Sequence, residues 1–475
     1  MKSATLALVL LSATCFGETV RPNFIVILSD DQGWGTTSVM MDPAVPESKS
    51  DFFKTPNIER LAADGMRFSQ AYASHCNCSP SRAALQTGRS PAALHMTDII
   101  ERPGGTATPG EKLIVPRIVT GLSKDNPTIA ELLKTYDPAY HAAHFGKWHI
   151  AGGGPAAHGY DVSDGATTNG EGGRKTNLPD DPKQIFGITR RGIDFMNAEV
   201  KEGHPFYLQL SHYATHAPNQ SRPATRKSFA DAPKGERHDN VPYGAMLADM
   251  DTGIGQLLDA VKAAGIADHT YIIYTADNGC IPTDDPGNIN GPIRGHKASV
   301  WEGGIRVPFI VTGPGIAAGA VSRVPVVGYD ILPTVCDLAG IKKWPAAVEG
   351  GSLKAALTGG DAVKRPEDFL MFHWPHYQHQ KHSTPDTTLL QDGWKLHYWW
   401  ETGATQLFHL DKDLGESKDV ASEFPDRVAK MKSALQGHLK EIRAQEPVPN
   451  PNFDPSAPAG PGGKRRKNAA ADDDD

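Results

Sequence analysis

The segment at residues 23–29, NFIVILS, restricts the possible folds most, because it is an almost uninterrupted apolar run. A run of this length and composition predicts a strand buried on both faces of a parallel sheet. Further strand and amphipathic helix patterns alternate along the chain, at residues 57–65, 128–134, 204–212, 244–264 and 269–274. This alternation predicts an α/β fold, with a large, mostly parallel sheet flanked by helices.

The pattern changes near residue 345, where the alternation of strands and helices ends. Residues 389–400 and 405–410 predict an antiparallel pair turning at Gly403, and residues 423–442 predict an amphipathic helix. The final residues are rich in Pro, Gly, Lys, Arg and Asp, a composition that cannot form a core. We therefore predict a signal peptide at 1–17, a main domain at 18–345, a smaller α+β subdomain at 346–446 and a disordered tail at 447–475.

The N-terminus has the composition of an export signal. Lys2 precedes a short apolar stretch at residues 4–11, and the small residue Gly17 offers a cleavage point before Glu18. We expect an exported protein, periplasmic or extracellular, with lipid anchoring at Cys15 as an alternative. No other stretch has the length and apolar character of a membrane span. The formal net charge of −7 argues against a nucleic-acid partner.

The string CSPSR at residues 78–82 predicts the start of a helix. Pro80 suits a first turn, and the alanines after Arg82 favour helix. Cys78 would then lie where free N–H groups favour an anion, with Arg82 one turn further on and directed back towards it. Taken alone, the same residues also describe a buried cysteine beside a surface arginine.

Acidic and amide residues follow two of the predicted strands. Asp30 and Asp31 end the first strand, and Asp277 and Asn278 follow the strand at residues 269–274. The carboxyl ends of parallel strands meet at one edge of a sheet. Carboxylates gathered there repel one another unless they bind a cation, and flexible oxygen-rich sites suit Ca²⁺. The alternative is a set of ordinary acidic loops, since Asp-Asn-Gly is also a common turn.

The segment CSPSR, followed by TGR at residues 87–89, resembles the signature of type I sulfatases in the alkaline phosphatase-like superfamily. The resemblance spans about residues 21–442 and is nearest to bacterial carbohydrate sulfatases. It implies that a maturation enzyme oxidises Cys78 to formylglycine (3-oxoalanine), the nucleophile in that family. It also implies a Ca²⁺ ion held by Asp30, Asp31, Asp277 and Asn278.

Other short strings resemble further catalytic motifs of that family. The segment GKWH implies that Lys147 contacts sulfate and that His149 contacts the formylglycine hydroxyl. Lys147 and His149, two residues apart, would share one face of an extended segment. His216 resembles the histidine that contacts sulfate and the leaving oxygen, although Thr215 stands where the family commonly has Pro. Lys297 corresponds to a second sulfate-binding lysine, and either it or His216 would protonate the leaving alcohol.

Substrate contacts are expected at the start of the C-terminal subdomain. Residues 372–377, FHWPHY, resemble a string found in carbohydrate sulfatases, which makes His373, Trp374 and His376 candidates for binding a sulfated carbohydrate. Packing between the two subdomains is the alternative role for these side chains. The additional histidines His379 and His382 raise the possibility of a metal site, which Pro375 disfavours.

Three questions stay open in the sequence. Cys76 and Cys280 each lie two residues from an expected site residue, so a disulfide between them is possible. A phosphonate or phosphodiester hydrolase of the same superfamily is the nearest alternative function. A non-catalytic carbohydrate-binding relative is an alternative from another class of protein.

Overall fold

The computed structural model describes residues 21–173, 176–281, 290–378 and 383–460. The predicted signal peptide, His379, His382 and the end of the predicted tail lie outside the described residues. Within the described parts of the chain, we find no helix whose length and hydropathy would suit it to cross a bilayer.

Helices and strands alternate through much of the main domain. The helices are α1 (Pro56–Asp64), α2 (Cys78–Thr87), α3 (Pro91–Leu94), α4 (Ile129–Tyr136), α5 (Ile185–Glu202), α6 (Pro223–Asp231), α7 (Val241–Ala263), α8 (Glu302–Ile305), α9 (Ile331–Leu338), α10 (Lys354–Leu357) and α11 (Pro425–Glu441). The strands are β1 (Asn23–Ser29), β2 (Met66–Phe68), β3 (Ala71–Tyr72), β4 (Leu113–Ile114), β5 (His141–Gly146), β6 (Val162–Ser163), β7 (Phe206–Ser211), β8 (Thr270–Ala276), β9 (Phe309–Thr312), β10 (Ala320–Ser322), β11 (Val326–Val327), β12 (Leu370–Trp374), β13 (Asp386–Gln391), β14 (Trp394–Trp399), β15 (Thr405–His409) and β16 (Val448–Pro449).

The main sheet has eight strands in the order β10-β2-β9-β8-β1-β7-β5-β6. β1 pairs in parallel with both β7 and β8, whereas β9 runs antiparallel to β8 and β2. Ile25 and Ile27 face a core shared with α5 and α7, and Phe24 and Val26 face a second core that includes α4 and α9. The continuous apolar run is therefore a central strand with a helical layer on each face, and the predicted α/β fold is confirmed.

The second sheet is antiparallel, with the strand order β12-β13-β14-β15. α11 covers it through Leu435, which belongs to the same buried cluster as Leu389 and Leu396. The prediction of one strand over residues 389–400 was wrong, because a tight turn divides it. Asp392 and Gly393 have φ values of 52° and 74°, and such a pair of left-handed residues closes the two-residue turn of a hairpin.

The start of the predicted disordered tail is ordered. β16 pairs with β4, and the Asn450 side chain donates hydrogen bonds to the carbonyl oxygens of Thr108 (3.1 Å) and Glu111 (2.8 Å). Composition does not reveal this docking, because backbone groups of a loop in the main domain provide it. Only residues 461–475 of the predicted tail lie outside the described chain.

Candidate active site

The site forms at the carboxyl edge of the main sheet. Asp30 and Asp31 follow β1, and Asp277 and Asn278 follow β8, the strand beside it. The backbone N–H of Asp31 donates to Asp277 Oδ1 at 3.1 Å, and the Asn278 side chain donates to Asp31 Oδ1 at 2.7 Å. The sheet register therefore brings together the carboxylates and the amide that the sequence placed at two strand ends.

Cys78 is the first residue of α2, as the sequence predicts, and every residue of this helix is buried. Potential ligand atoms of Cys78, Asp30 and Asp277 all lie within 4.8 Å of one another. The same limit holds for Cys78, Asp31 and His216. One side chain at a helix N-terminus thus meets carboxylates from two strands and an imidazole from a third segment.

Three cations balance the three carboxylates of this site. Arg82 donates from Nε (2.9 Å) and Nη2 (2.7 Å) to Asp277 Oδ2. Lys147 Nζ lies 2.8 Å from Asp30 Oδ2, and Lys297 Nζ lies 3.1 Å from Asp31 Oδ2. The remaining donor of Arg82, Nη1, reaches the carbonyl oxygen of Lys147 at 2.6 Å. Arg82 therefore fixes Asp277 and the chain at Lys147, in addition to its predicted orientation towards residue 78.

Burial and close charges perturb the ionisation of these groups. Burial raises the pKa of the Cys78 thiol to about 12. Burial and the neighbouring Asp30 raise the pKa of Asp277 to about 7. Burial opposes the charged form of Lys297, but Asp31 outweighs that effect and raises its pKa. Burial and Lys297 lower the pKa of His216 to about 3, so this imidazole is neutral near pH 7.

His149 points to an acidic partner that the sequence did not suggest. Its Nε2 lies 2.9 Å and 3.0 Å from the two carboxylate oxygens of Glu101, whereas its buried Nδ1 has no hydrogen-bond partner in the described part of the chain. The prediction that Lys147 and His149 share a face of an extended segment was wrong. β5 ends at Gly146, and His149 has a left-handed φ of 58°, so residues 147–149 do not form the extended segment that the prediction assumed.

Thr215 is a second residue whose role the sequence did not reveal. Its Oγ1 lies 3.0 Å from the carbonyl oxygen of Asp30 and 3.1 Å from that of Asp31. Asp31 itself has a φ of 57°, a conformation that costs a non-glycine residue about 1–3 kcal/mol. Thr215 thus helps to hold the strained turn that presents both aspartates, at the position where the family string commonly has Pro.

The residues present fit a hard cation. Asp30 Oδ1 and Asn278 Oδ1 are buried oxygens to which no donor among the described residues hydrogen-bonds, and they belong to the same cluster as Asp31 and Asp277. Buried acceptors without donors are costly in a folded protein. Carboxylate and amide oxygens in such a group are the ligands that Ca²⁺ prefers. This donor set therefore suits Ca²⁺ better than a soft metal.

The candidate substrate residues lie in β12 of the second sheet and just after it. His373 contacts Thr387 Oγ1 at 2.7 Å and the carbonyl oxygen of Gln445 at 2.9 Å, and His376 contacts Thr97 Oγ1 at 2.8 Å. Trp374 is fully buried. These contacts agree with the alternative role in packing, and the assignment to substrate binding stays a prediction.

The possible disulfide is not formed in the described structure. Cys76 and Cys280 both remain thiols, and Cys280 Sγ lies 3.0 Å from Asn290 Oδ1.

A helix N-terminus, a carboxylate cluster and buried cations at the carboxyl edge of this sheet define a hydrolase of anionic esters with an alkaline phosphatase-like fold. A family model described as Sulfatase matches residues 22–341. The chain therefore belongs to the sulfatase family, whose members are sulfuric ester hydrolases. A second model, described as N-sulphoglucosamine sulphohydrolase, C-terminal, matches residues 296–445.

Individual relatives agree with this family. The chain is 28% identical to N-acetylgalactosamine-6-sulfatase of Sus scrofa, over 93% of this chain and 91% of the relative. It is 29% identical to human arylsulfatase A, over 75% of this chain and 71% of the relative. Among solved structures, the one described as Ps i-CgsB superposes with a TM-score of 0.72 at 25% identity, covering 92% of this chain and 94% of that one.

Proposed function

We propose that this protein hydrolyses sulfate esters of a carbohydrate, with residue 78 as its nucleophile and Ca²⁺ bound by Asp30, Asp31, Asp277 and Asn278. The observation that carries the proposal is the group of ligand atoms from Cys78, Asp30 and Asp277 within 4.8 Å. The sugar as substrate rests on the names of the relatives, of which N-acetylgalactosamine-6-sulfatase matches over 93% of this chain.

The environment of Cys78 supports its conversion to formylglycine. A thiol attacks as its thiolate, and a pKa of about 12 leaves almost none of that form at neutral pH. When hydrated, formylglycine supplies two hydroxyls, one to attack sulfur and one to expel sulfate. The modification requires the maturation enzyme expected from the family resemblance.

The cations of the site would neutralise the sulfate oxygens. Lys147 and Lys297 are both buried and protonated, and each is held by one aspartate. Charges fixed in a water-poor site stabilise a developing anion more strongly than charges in solvent. Ca²⁺, when bound, adds positive charge that lowers the pKa of a coordinated hydroxyl and polarises a sulfate oxygen.

His149 is suited to act as the general base. Glu101 accepts the hydrogen bond from Nε2, which leaves the lone pair on the buried Nδ1. Burial and the charge of Lys147 lower the pKa of His149, so the imidazole is neutral and able to take a proton near pH 7.

Lys297 is the better candidate to protonate the leaving alcohol. Its ammonium is retained because its pKa is raised, whereas the pKa of about 3 leaves the His216 imidazole neutral in the substrate-free protein. His216 Nδ1 donates to the carbonyl oxygen of Ala217 at 2.6 Å, so Nε2 carries the lone pair and would bind a sulfate oxygen only after taking up a proton.

The predicted export signal supports action on carbohydrate in the periplasm or outside the cell. Its removal is testable by N-terminal sequencing of the protein from its native host, which should begin near Glu18. A mature chain that retains Met1 would contradict export through this signal.

Parallel assays on defined sulfated sugars and the matching phosphate esters test the proposed activity. We expect turnover of at least one sulfated sugar, with little turnover of its phosphate analogue. Cys78→Ala should abolish turnover, and Cys336→Ala, which removes a cysteine buried in α9, should retain it. Faster hydrolysis of phosphate esters or phosphonates would favour the alternative function, and undiminished activity of Cys78→Ala would refute the proposed nucleophile.

A further inference from the structure

A second cluster of metal-ligand side chains lies at the opposite, amino-terminal edge of the main sheet. His141 is the first residue of β5, Glu199 lies in the last turn of α5, and His204 lies between α5 and β7. Each offers one ligand atom, and these atoms lie within 4.8 Å of one another. His141 is six residues before Lys147, or about 20 Å along an extended strand, so this cluster is separate from the catalytic centre.

The two imidazoles converge on one carboxylate oxygen. His141 Nδ1 lies 2.8 Å and His204 Nδ1 lies 3.0 Å from Glu199 Oε2, and the ring centroids are 4.3 Å apart. Zinc–ligand bonds of roughly 2.0–2.2 Å in a tetrahedron separate neighbouring ligand atoms by roughly 3.3 Å. The two nitrogen–oxygen distances therefore need to open by only a few tenths of an ångström to admit an ion, and the two nitrogens lie within 4.8 Å of each other.

The backbone holds the three residues in place. The N–H of His141 donates to the carbonyl oxygen of Pro205 at 3.1 Å, and the N–H of His204 donates to that of Glu199 at 3.0 Å. Between Glu199 and His204, Gly203 adopts a left-handed φ of 77° that ends α5 and turns the chain towards β7. The ligands therefore stand on a strand, a helix end and a short turn that are tied to one another, which favours a defined site.

The chemistry of the cluster selects the class of metal. Imidazole nitrogen with carboxylate oxygen suits Zn²⁺ and neighbouring transition metals, whereas Ca²⁺ prefers oxygen alone. The side chains of His141 and His204 are 38% and 37% exposed, which leaves an open side for a water molecule as the fourth ligand.

We propose that His141, Glu199 and His204 bind one Zn²⁺ or similar transition-metal ion that links α5 to β5 and β7. Because the ion lies far from residue 78, it stabilises the fold without taking part in hydrolysis. The site does not depend on the identity of the substrate.

Zinc binding to tag-free protein, measured by calorimetry in saturating Ca²⁺, tests the proposal. Saturating Ca²⁺ is included to fill the proposed calcium site, so that Zn²⁺ is left to the histidine cluster. We expect one Zn²⁺ per chain, with an increase in Tm on binding. The double variant His141→Ala, His204→Ala should weaken binding at least about 100-fold, and Glu199→Gln should weaken it less.

The control is His269→Ala, which removes an exposed histidine just before β8 at the same edge of the sheet and should leave zinc affinity unchanged. Circular dichroism and the Tm in Ca²⁺ alone show whether each variant is folded. In a zinc-soaked crystal, an anomalous peak should lie among the three side chains. Stoichiometric Zn²⁺ binding that persists in a folded double variant would overturn the proposal. The same conclusion would follow if the unmodified protein bound no Zn²⁺.

Discussion

At the scale of single residues, Glu101 gives His149 its chemical character. The carboxylate contacts Nε2 through both of its oxygens, at 2.9 Å and 3.0 Å, and so fixes which imidazole nitrogen carries the proton. It also opposes the effect of burial and Lys147 on the pKa of His149. Glu101, from a Gly- and Pro-rich loop, therefore influences both the protonation pattern and the pKa of the imidazole that we propose as the general base.

We predict that Glu101→Gln reduces kcat/KM by about 10- to 100-fold. His149→Ala removes the general base itself, and its loss should be larger, about 10²–10⁴-fold. A general base acts in its neutral form, and the pKa of His149 is already below the ordinary 6.5. Removal of the carboxylate lowers that pKa further. The acidic limb of the kcat/KM profile should therefore move to lower pH in Glu101→Gln.

The matched control for this prediction is Glu202→Gln, an exposed position at the end of α5, which should leave both the rate and the pH profile unchanged. A shift of the acidic limb to higher pH in Glu101→Gln would contradict this role of Glu101.

Sequence motifs predicted the carboxylates, the lysines and Cys78, which the structure brings together, but they did not point to Glu101 or Thr215. Asp30 and Asp31 are recognisable because they end a buried strand, where the sheet itself determines their position. Glu101 lies in a loop without a periodic pattern, and its contact with His149 depends on how that loop folds over the site. Thr215 looked like a departure from the family string, although its hydroxyl contacts the backbone of both aspartates.

At the scale of elements, α7 fixes the N-terminus of α1. Thr55 occupies the N-cap position of α1, but its side chain makes no hydrogen bond to the first turn of that helix. Asp251 in α7 accepts hydrogen bonds instead from the backbone N–H of Ile58 at 2.8 Å and of Asn57 at 3.1 Å. A buried carboxylate on one helix thus satisfies the unpaired donors of another.

We predict that Asp251→Ala lowers the free energy of unfolding by about 1–3 kcal/mol, because it leaves buried N–H groups without an acceptor. Asp259→Ala is the matched control on the same helix. Asp259 also connects α7 to α1, through Arg60 at 2.8 Å, but its side chain is 70% exposed, and we expect a loss below about 1 kcal/mol. Urea titrations measure both values, and equal losses would contradict the proposed cap.

The elements themselves were predictable where periodicity is strong. The pattern at residues 128–134 corresponds to α4, and Thr128 caps it together with Glu131. The division of residues 389–400 into β13 and β14 was missed, although Asp392-Gly393 is a dipeptide typical of the two-residue turn of a hairpin. The left-handed φ of both residues shows the reversal.

At the scale of the whole molecule, a buried ionic cluster joins the main sheet region to the second sheet. Lys395 in β14 contacts Glu302 at the start of α8 (3.0 Å) and Glu416 after β15 (2.9 Å). His397 contacts both Glu416 (3.0 Å) and Asp386 (2.7 Å). Composition does not predict this cluster, because its members meet only when the two parts of the chain dock.

We predict that Lys395→Met lowers the free energy of unfolding by about 3–5 kcal/mol, because it leaves two buried carboxylates without their shared cation. The loss should shrink when Glu302→Gln is combined with it, since one of those charges is then removed. Lys418→Met is the control, as its side chain is 71% exposed and pairs with Glu423 at the surface. Denaturant unfolding measures all three variants, and a Lys395→Met protein as stable as the control would contradict this prediction.

Mass spectrometry of residue 78, in protein purified from its native host, tests the central claim most directly. The account predicts that the peptide containing residue 78 carries an aldehyde in place of the thiol, and that specific activity rises with the modified fraction across preparations. Full sulfatase activity from protein in which Cys78 is entirely unmodified would contradict it.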